Sequence, residues 1–166
     1  MKVVNQFCKP MIPFIKFGFA QQIVGTDLSQ SNVAVSYTKL NALKGEYPDI
    51  SIDYEKVKLS AGPLIEAGQV TVAREVDGIR FKWYTGPEIK WPDNTDQVMM
   101  MAYLPEENRA VYQLFGAARS AGQDLLPVST QWLQGHIETY IAFISADRTQ
   151  VSDSVYAGGF NKPEIA

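Results

Sequence analysis

The chain has 166 residues, 46% of them apolar, and a formal net charge of -3 from 15 basic and 18 acidic side chains. This length suits one domain or one domain with an extension, and the apolar fraction excludes a disordered chain. The balanced charge, without a basic stripe, argues against nucleic-acid binding, and no apolar run is long and uninterrupted enough for membrane insertion.

The first 24 residues combine a charged start with apolar stretches, as targeting segments do. Lys9, Pro10 and Lys16 interrupt the apolar run and no small-residue cleavage site follows, so we interpret the segment as structure. With no signal peptide recognised, we expect the chain to be cytoplasmic or assembled into a particle. The single cysteine, Cys8, excludes a disulfide-stapled scaffold and is predicted to be a small buried hydrophobe rather than a reactive thiol.

Two helical patterns open the chain and predict a helical segment over residues 1–45. Apolar residues recur at helical spacing over residues 3–15, where Pro10 and Pro13 limit the regularity of the helix. The second helix is capped by Thr26, Asp27 or Ser29 and ends at Gly45. Three apolar side chains define its predicted buried face: Val33, Tyr37 and Leu40.

After Gly45 the period of the apolar pattern changes from helical to two, which indicates strands. About seven short strands follow, with turn signals between them. This pattern predicts an antiparallel β-sandwich of the fibronectin-III or immunoglobulin type over residues 46–166, although a barrel gives a similar pattern. The main predicted strands are residues 50–59, 70–76, 79–83, 97–104, 109–115, 137–143 and 151–156, with a further apolar piece at 125–128.

The dipeptide Asp77-Gly78 is the strongest local signal, because it favours the type I′ turn of a two-residue β-hairpin. This turn predicts that Val76 pairs with Ile79. Two charged side chains then face each other across the strands: Glu75 and Arg80.

Several short motifs carry a family resemblance: GEYPD at 45–49, SIDY at 51–54, LSAG at 59–62, ARSAG at 118–122, YIAFISAD at 140–147 and VSDSVYAG at 151–158. Together they resemble an uncharacterised bacterial family of unknown function, over about residues 7–158. Its members have a fibronectin-III- or immunoglobulin-like C-terminal part and begin with a glycine-rich, basic stretch. This chain lacks that stretch, as expected for a shortened or trimmed member, and has Arg148 where they place glycine. The resemblance implies no activity and no catalytic residues.

Catalytic and metal-binding motifs are not recognised. His136 is the single histidine; it begins a predicted strand beside Gly135, where we expect it to be exposed, and no serine has the local context of an activated nucleophile. Cysteine and histidine are too few for a structural zinc site. A cluster in the polar loop lacks calcium-loop spacing and is interpreted as a solvated turn: Asp93, Asn94 and Asp96. We therefore expect no cofactor, no metal and no enzymatic activity.

Five side chains are the candidate binding residues: Tyr84, Trp91, Met99, Met101 and Tyr103. Met99 and Met101 share one face of the strand at 97–104. That face is either an apolar surface for a partner or, as we favour, covered by the helical segment. The aromatic set of Tyr84, Trp91 and Tyr103 can stack on sugar rings or anchor a protein partner. Alternatively, and as we favour, Trp91 fixes its own loop to the sandwich.

These features predict a non-enzymatic structural or protein–protein interaction module, with a protein partner or self-association. It would be part of a larger assembly such as a cell-surface or phage-like particle. A carbohydrate-binding module that uses the loop aromatics is the alternative. An enzyme with an unrecognised site ranks last, because the chain has a single histidine.

Overall fold

The structure is a computed structural model that describes residues 2–164. Residue 1, the first of the predicted helical segment, and residues 165–166, the last two of the predicted sandwich, lie outside the described residues. The described chain contains three α-helices and nine strands. The helices come first: α1 (Lys2–Cys8), α2 (Ile12–Gly18) and α3 (Gln30–Asn41).

The number of N-terminal helices differs from the two predicted. The first pattern divides into α1 and α2, which are joined by a 3-10 turn at Lys9–Met11. Pro10 and Pro13 explain the division, because proline lacks a backbone N–H and its ring clashes with the preceding turn of a helix. Each proline stands at one of the first two positions of its own element, where the missing donor costs little. Among residues 2–164, no helix is long and apolar enough to cross a membrane.

The start of α3 is capped as predicted, but its predicted buried face is only partly right: Val33 packs against the core and Tyr37 is half-buried, whereas Leu40 points away. The Ser29 side chain accepts a hydrogen bond from the backbone N–H of Asn32 at 3.1 Å, and the two residues form a capping box. Ala34 and Thr38 are buried, whereas the exposed fraction of Leu40 is 83%. The helix therefore packs through small side chains, which let its backbone approach α1 and α2 closely.

All strand pairs are antiparallel, and the predicted mainly β, antiparallel fold is confirmed. The strands are β1 (Leu43–Lys44), β2 (Ser51–Ile52), β3 (Thr71–Glu75), β4 (Gly78–Lys82), β5 (Gln97–Leu104), β6 (Arg109–Gln113), β7 (Gln123–Pro127), β8 (Ile137–Ile144) and β9 (Val155–Phe160). They form a two-stranded sheet β1-β2, a three-stranded sheet β3-β4-β7 and a four-stranded sheet β6-β5-β8-β9. The strand predicted at 50–59 shrinks to β2, followed by a 3-10 turn at Tyr54–Lys56.

The four-stranded sheet is buried on both faces, so the protein has three layers. One face of β5, which includes Met100, packs against the three-stranded sheet and forms the interior of the sandwich. The other face, with Met99 and Met101, packs against α1 and α2 through residues such as Phe7 and Phe14. The helical segment and the sheet therefore share one apolar core, which stabilises both by removing apolar surface from water.

The β3–β4 hairpin forms, but its turn lies one residue earlier than predicted, so Ile79 pairs with Arg74 instead of Val76. Glu75 pairs with Gly78, so the two-residue loop is Val76-Asp77. A Cβ atom on Gly78 would lie 2.2 Å from the Leu126 carbonyl oxygen of β7, so glycine is needed inside the strand, where the two backbones approach closely. The predicted charge pair is present: Arg80 Nε lies 2.8 Å from Glu75 Oε2.

Candidate functional site

Three of the five candidate binding residues lie in the core. The exposed fraction of Met99 and Met101 is 0%, and that of Tyr103 is 5%. All three face the helical segment, where the Tyr103 ring packs edge-on against Phe7 with the ring centroids 4.9 Å apart. The Tyr103 hydroxyl donates to Asn108 Oδ1 at 2.9 Å. These side chains therefore offer no surface to a partner, which corrects the prediction of a binding role and agrees with the covered-face interpretation.

Tyr84 lies just after β4 and is partly exposed. Its hydroxyl donates a hydrogen bond to the Glu88 carboxylate, and this bond raises the pKa of the Tyr84 hydroxyl and lowers that of Glu88. Both groups belong to the same short polar turn, around Gly86. Tyr84 does not line the cleft beside Trp91, so the structure does not combine the predicted aromatic set into one surface.

Trp91 forms one wall of a cleft of about 540 Å³, and the exposed fraction of its side chain is 79%. The interpretation that Trp91 fixes its loop to the sandwich is therefore wrong, because a fixing side chain would be buried. The opposite wall is the turn after β8, residues 145–150. Polar groups of both walls face the cleft: Asp93, Thr95, Asp147, Thr149 and Gln150.

The turn after β8 is ordered by Asp147. Its Oδ1 atom accepts hydrogen bonds from the Ser145 and Thr149 hydroxyls, each at 2.7 Å. These hydrogen bonds lower the pKa of the Asp147 carboxyl, so the cleft carries a stable negative charge at neutral pH. Arg148 follows in the left-handed conformation (φ 63°) and stacks its guanidinium over the Phe115 ring, 3.6 Å from the centroid.

The loop that carries Trp91 is held by a buried arginine. Arg119 Nη2 donates to Asp96 Oδ2 at 2.9 Å and to the Ile65 carbonyl at 2.8 Å, and Nε donates to the Asp93 carbonyl at 3.1 Å. The guanidinium also lies over the Phe143 ring, 3.9 Å from its centroid. Burial raises the pKa of Asp96, an effect that the hydrogen bond from Arg119 opposes. Arg119 therefore holds Asp93 and Asp96, two residues that line the Trp91 cleft, in place.

A second cleft, of about 610 Å³, lies at the other end of β8 and contains a buried histidine. His136 was expected to be exposed, but its exposed fraction is 8%, because the 3-10 turn at Tyr54–Lys56 covers it and the Tyr54 ring packs edge-on against the imidazole. His136 Nε2 lies 3.4 Å from Glu138 Oε1 without hydrogen-bond geometry. Within residues 2–164 this nitrogen has no hydrogen-bond partner. The backbone N–H of His136 donates to Glu106 Oε1 at 2.9 Å.

Glu138 is the buried carboxylate of this second cleft, with an exposed fraction of 1%. The Tyr156 hydroxyl donates to Glu138 Oε2 at 3.0 Å, and Lys162 Nζ lies 3.6 Å from Oε1. Burial, and secondarily the Glu138 charge, raise the pKa of the Tyr54 and Tyr156 hydroxyls. The Tyr156 hydroxyl and the Glu138 carboxylate raise the pKa of the Lys162 ammonium, so it stays charged beside the carboxylate.

Metal binding has no support in the part of the chain that the structure describes. In residues 2–164, no group of three or more histidine, cysteine, aspartate or glutamate side chains is placed to hold a metal ion. Cys8 is buried, and burial raises the pKa of its thiol to about 11, so the thiol is protonated and poorly nucleophilic at neutral pH.

In a comparison with known families, residues 1–158 match the Family of unknown function (DUF6266). The chain belongs to this family. The resemblance inferred from the sequence motifs is thus confirmed, and DUF6266 carries no assigned activity that transfers to the two clefts. Trp91, Arg119, His136 and Glu138 lie within the DUF6266 match, whereas Lys162 lies beyond it. No curated protein matches the chain.

Proposed function

We propose that this DUF6266 protein is a non-enzymatic binding module and that a carbohydrate binds in the Trp91 cleft. The observation that carries the proposal is the Trp91 ring, 79% exposed beside a polar cleft. An exposed indole face packs on the C–H face of a sugar ring, and nearby carboxylate, amide and hydroxyl groups hydrogen-bond its hydroxyls. Asp147 and Gln150 supply such groups on the opposite wall.

The rigidity of the cleft supports this proposal. Arg119 fixes the Trp91 loop to the sandwich, and Asp147 orders the facing turn through hydrogen bonds from Ser145 and Thr149. A site that is ordered before the ligand arrives loses little conformational entropy on binding. Weak contacts between an indole and a sugar therefore suffice for measurable affinity.

The strand order gives further support, because it suggests a sandwich of the fibronectin-III type. One sheet is β3-β4-β7 and the other is β6-β5-β8-β9, which corresponds to strands A-B-E and C′-C-F-G. On this correspondence the Trp91 loop is the B–C loop and the turn at 145–150 is the F–G loop. These two loops form one end of such sandwiches, the end that antibody variable domains use to bind antigen.

A titration followed by isothermal titration calorimetry, which needs no tryptophan reporter, tests the proposal. A glycan array first selects a soluble ligand for the wild-type protein, and Trp91→Ala is then compared with wild type. We expect Trp91→Ala to abolish binding with little change in stability. Tyr47→Ala is the matched control, because Tyr47 is an aromatic residue with 88% exposure that does not line the Trp91 cleft. Failure of the wild-type protein to bind any glycan, or equal binding by Trp91→Ala, would reject the proposal.

Self-association through the helical segment is the second candidate function, and exposed apolar residues favour it. Val24, Leu28 and Leu40 are exposed by 78%, 54% and 83%, while the other side of the segment packs on the sheet. Such residues are a typical contact surface for another protein or a second copy of the chain in a larger particle.

Light scattering over a concentration series tests the second candidate. If the helical segment mediates assembly, the mass of the wild-type protein rises with concentration and Leu40→Ser reduces that rise. Val76→Ser is the control, because Val76 has a similar exposure of 86% but lies in the β3–β4 loop. A constant monomer mass would exclude self-association.

A further inference from the structure

The cleft around His136 and Glu138 is a second binding site, at the opposite end of β8 from the Trp91 cleft. We propose that this cleft binds a primary ammonium group. In the free protein, Lys162 of the chain's own C-terminal segment (residues 161–164) occupies the site and competes with that ligand. This proposal does not depend on carbohydrate binding.

The charge of the cleft selects a cation. Six ionised side chains line it: the carboxylates of Asp53, Glu55, Glu106 and Glu138, and the ammonium groups of Lys44 and Lys162. When the C-terminal segment moves away, the four carboxylates face two ammonium groups, that of Lys44 and that of Lys56, which pairs with Asp53 at 3.5 Å, so the cleft keeps an excess of negative charge. A negatively charged ligand is repelled by this arrangement, whereas a cation is attracted.

The position of Lys162 shows which kind of cation the cleft accepts. Lys162 Nζ lies 3.6 Å from Glu138 Oε1, 4.0 Å from Glu55 Oε1 and 5.4 Å from the centroid of the Tyr156 ring. Carboxylates combined with an aromatic face are the usual surroundings of a bound ammonium. Both ion pairs are long, and 47% of the Lys162 side chain is exposed, so a ligand can displace Lys162.

His136 provides an independent indication that this cleft binds a hydrogen-bond donor. His136 lines this cleft, and its buried Nε2 atom, 3.4 Å from Glu138 Oε1, has no hydrogen-bond partner in residues 2–164, although the residue is more than nine-tenths buried. Lys162 leaves this nitrogen unsatisfied. An ammonium carries three N–H donors, so a ligand seated deeper than Lys162 can donate to Glu138 and also to a neutral His136. Its binding therefore satisfies a buried polar atom that residues 2–164 leave unpaired.

An NMR titration with n-butylamine, the side-chain analogue of lysine, tests the proposal at constant pH and ionic strength. We expect Lys162→Ala to bind butylammonium about tenfold more tightly than wild type, because the internal competitor is gone. 1-Butanol, a neutral molecule of similar size, should not bind. Equal affinity of Lys162→Ala and wild type, or equal shifts with 1-butanol, would overturn the proposal.

Two further variants separate a specific site from general attraction. Lys44→Ala removes the other ammonium of the cleft and should change the affinity by less than about twofold, since Lys44 forms no ion pair with Glu138 within residues 2–164. If Lys44→Ala increased the affinity for butylammonium as much as Lys162→Ala does, the proposal that Lys162 competes with the ligand would be rejected. Adding Glu55→Gln to Lys162→Ala should weaken binding, and because 70% of the Glu55 side chain is exposed, this change leaves the fold intact. If the double variant bound butylammonium as tightly as Lys162→Ala does, the proposed site would be wrong.

The source of the ammonium is distinguished by two more probes. Tighter binding of 1,5-diaminopentane than of Nα-acetyl-lysine methylamide identifies a free polyamine as the ligand. The reverse order identifies a lysine side chain on a partner protein. Either order supports an ammonium site, whereas failure of both probes to bind Lys162→Ala would refute it.

Discussion

The Arg119 guanidinium lies 2.9 Å from the Asp96 carboxylate in the interior of the protein, where 2% and 4% of the two side chains are exposed. The pair connects the turn before β7 to the end of the Trp91 loop. Arg119 also donates to the backbone carbonyls of Ile65 and Asp93, so one side chain ties together three loops.

Arg119→Met is expected to lower the free energy of unfolding by about 3 to 5 kcal/mol, because it leaves the Asp96 carboxylate buried without its cation. Chemical denaturation measures this loss. Arg80→Met is the matched control, since it breaks the ion pair with Glu75 at the surface, and its denaturation midpoint should remain close to that of wild type. Equal midpoints for the two variants would show that burial of the Arg119 pair has no energetic consequence.

The contrast between Met99 and Trp91 gives a second prediction. Met99→Ala leaves a cavity between the sheet and the helices and should cost about 2 to 5 kcal/mol of unfolding free energy. Trp91→Ala removes a larger but exposed side chain and should change stability by less than about 0.5 kcal/mol. Thermal and chemical denaturation of both variants checks the difference. A large loss on Trp91→Ala would mean that this ring contributes to the fold.

Because of Cys8, the free energy of unfolding is expected to decrease as the pH rises in the alkaline range. Burial raises the pKa of the thiol from 9.0 to about 11, so above pH 9.0 the unfolded chain releases this proton more readily than the folded protein does. The stabilisation from the neutral Cys8 thiol is complete below the pKa that the thiol has in the unfolded chain. As the pH rises from there through the pKa in the folded protein, this stabilisation is lost, and the free energy of unfolding falls by about 1.4 kcal/mol per pH unit. The unfolding free energies of wild type and Cys8→Ala should therefore differ by an amount that changes between pH 9.0 and 11, in favour of the variant.

The buried tyrosines do not obscure this comparison. Burial raises the pKa of Tyr103 and of Tyr140, so both also reduce stability at alkaline pH. Tyr140 contributes equally in both proteins, and Tyr103 loses only the smallest cause of its raised pKa, the charge of Cys8, while the cavity left by Cys8→Ala adds a constant offset. A difference that stays constant with pH would contradict the shifted pKa of Cys8.

Gly78 gives the fourth prediction. In Gly78→Ala the new Cβ lies 2.2 Å from the Leu126 carbonyl oxygen, so β4 and β7 must separate and stability should fall by about 2 kcal/mol or more. Gly68→Ala is the control, because a Cβ there meets nothing within 4 Å and the smaller conformational freedom of the unfolded chain offsets any cost. Denaturation curves of the two variants test the prediction, and similar midpoints would contradict it.

The elements that the sequence predicts well are those with local signals. Alternating apolar residues followed by Pro105 delimit β5, and its observed bounds equal the predicted range 97–104. The Ser29 cap is also local, since the capping hydrogen bond joins residues three apart. By contrast, the β3–β4 register follows from the close approach of β7 to Gly78, which no pattern within the hairpin reveals.

The clefts are less predictable because distant segments form them. The alternating pattern of β8 places Glu138 on the face opposite the apolar residues, and it therefore predicts that the Glu138 side chain is solvated. In the structure the helical layer and the 3-10 turn at Tyr54 also bury the face that carries Glu138. Pairing of β8 with β9 then brings Tyr156 and, beyond it, Lys162 to the carboxylate. The exposure of Trp91 is also not predictable from the local sequence, because Arg119, from a distant part of the chain, holds the Trp91 loop in place.

The burial of both faces of β5 has a consequence for biosynthesis. The ribosome produces α1 and α2 before it reaches β5, which begins at Gln97, and β8, which ends at Ile144. Until then the apolar sides of the two helices, including Phe7 and Phe14, have no sheet to cover them. Because these contacts join distant parts of the chain, loop closure precedes their formation and folding is slow. The nascent helical segment therefore exposes apolar surface for most of the time that the chain is being translated.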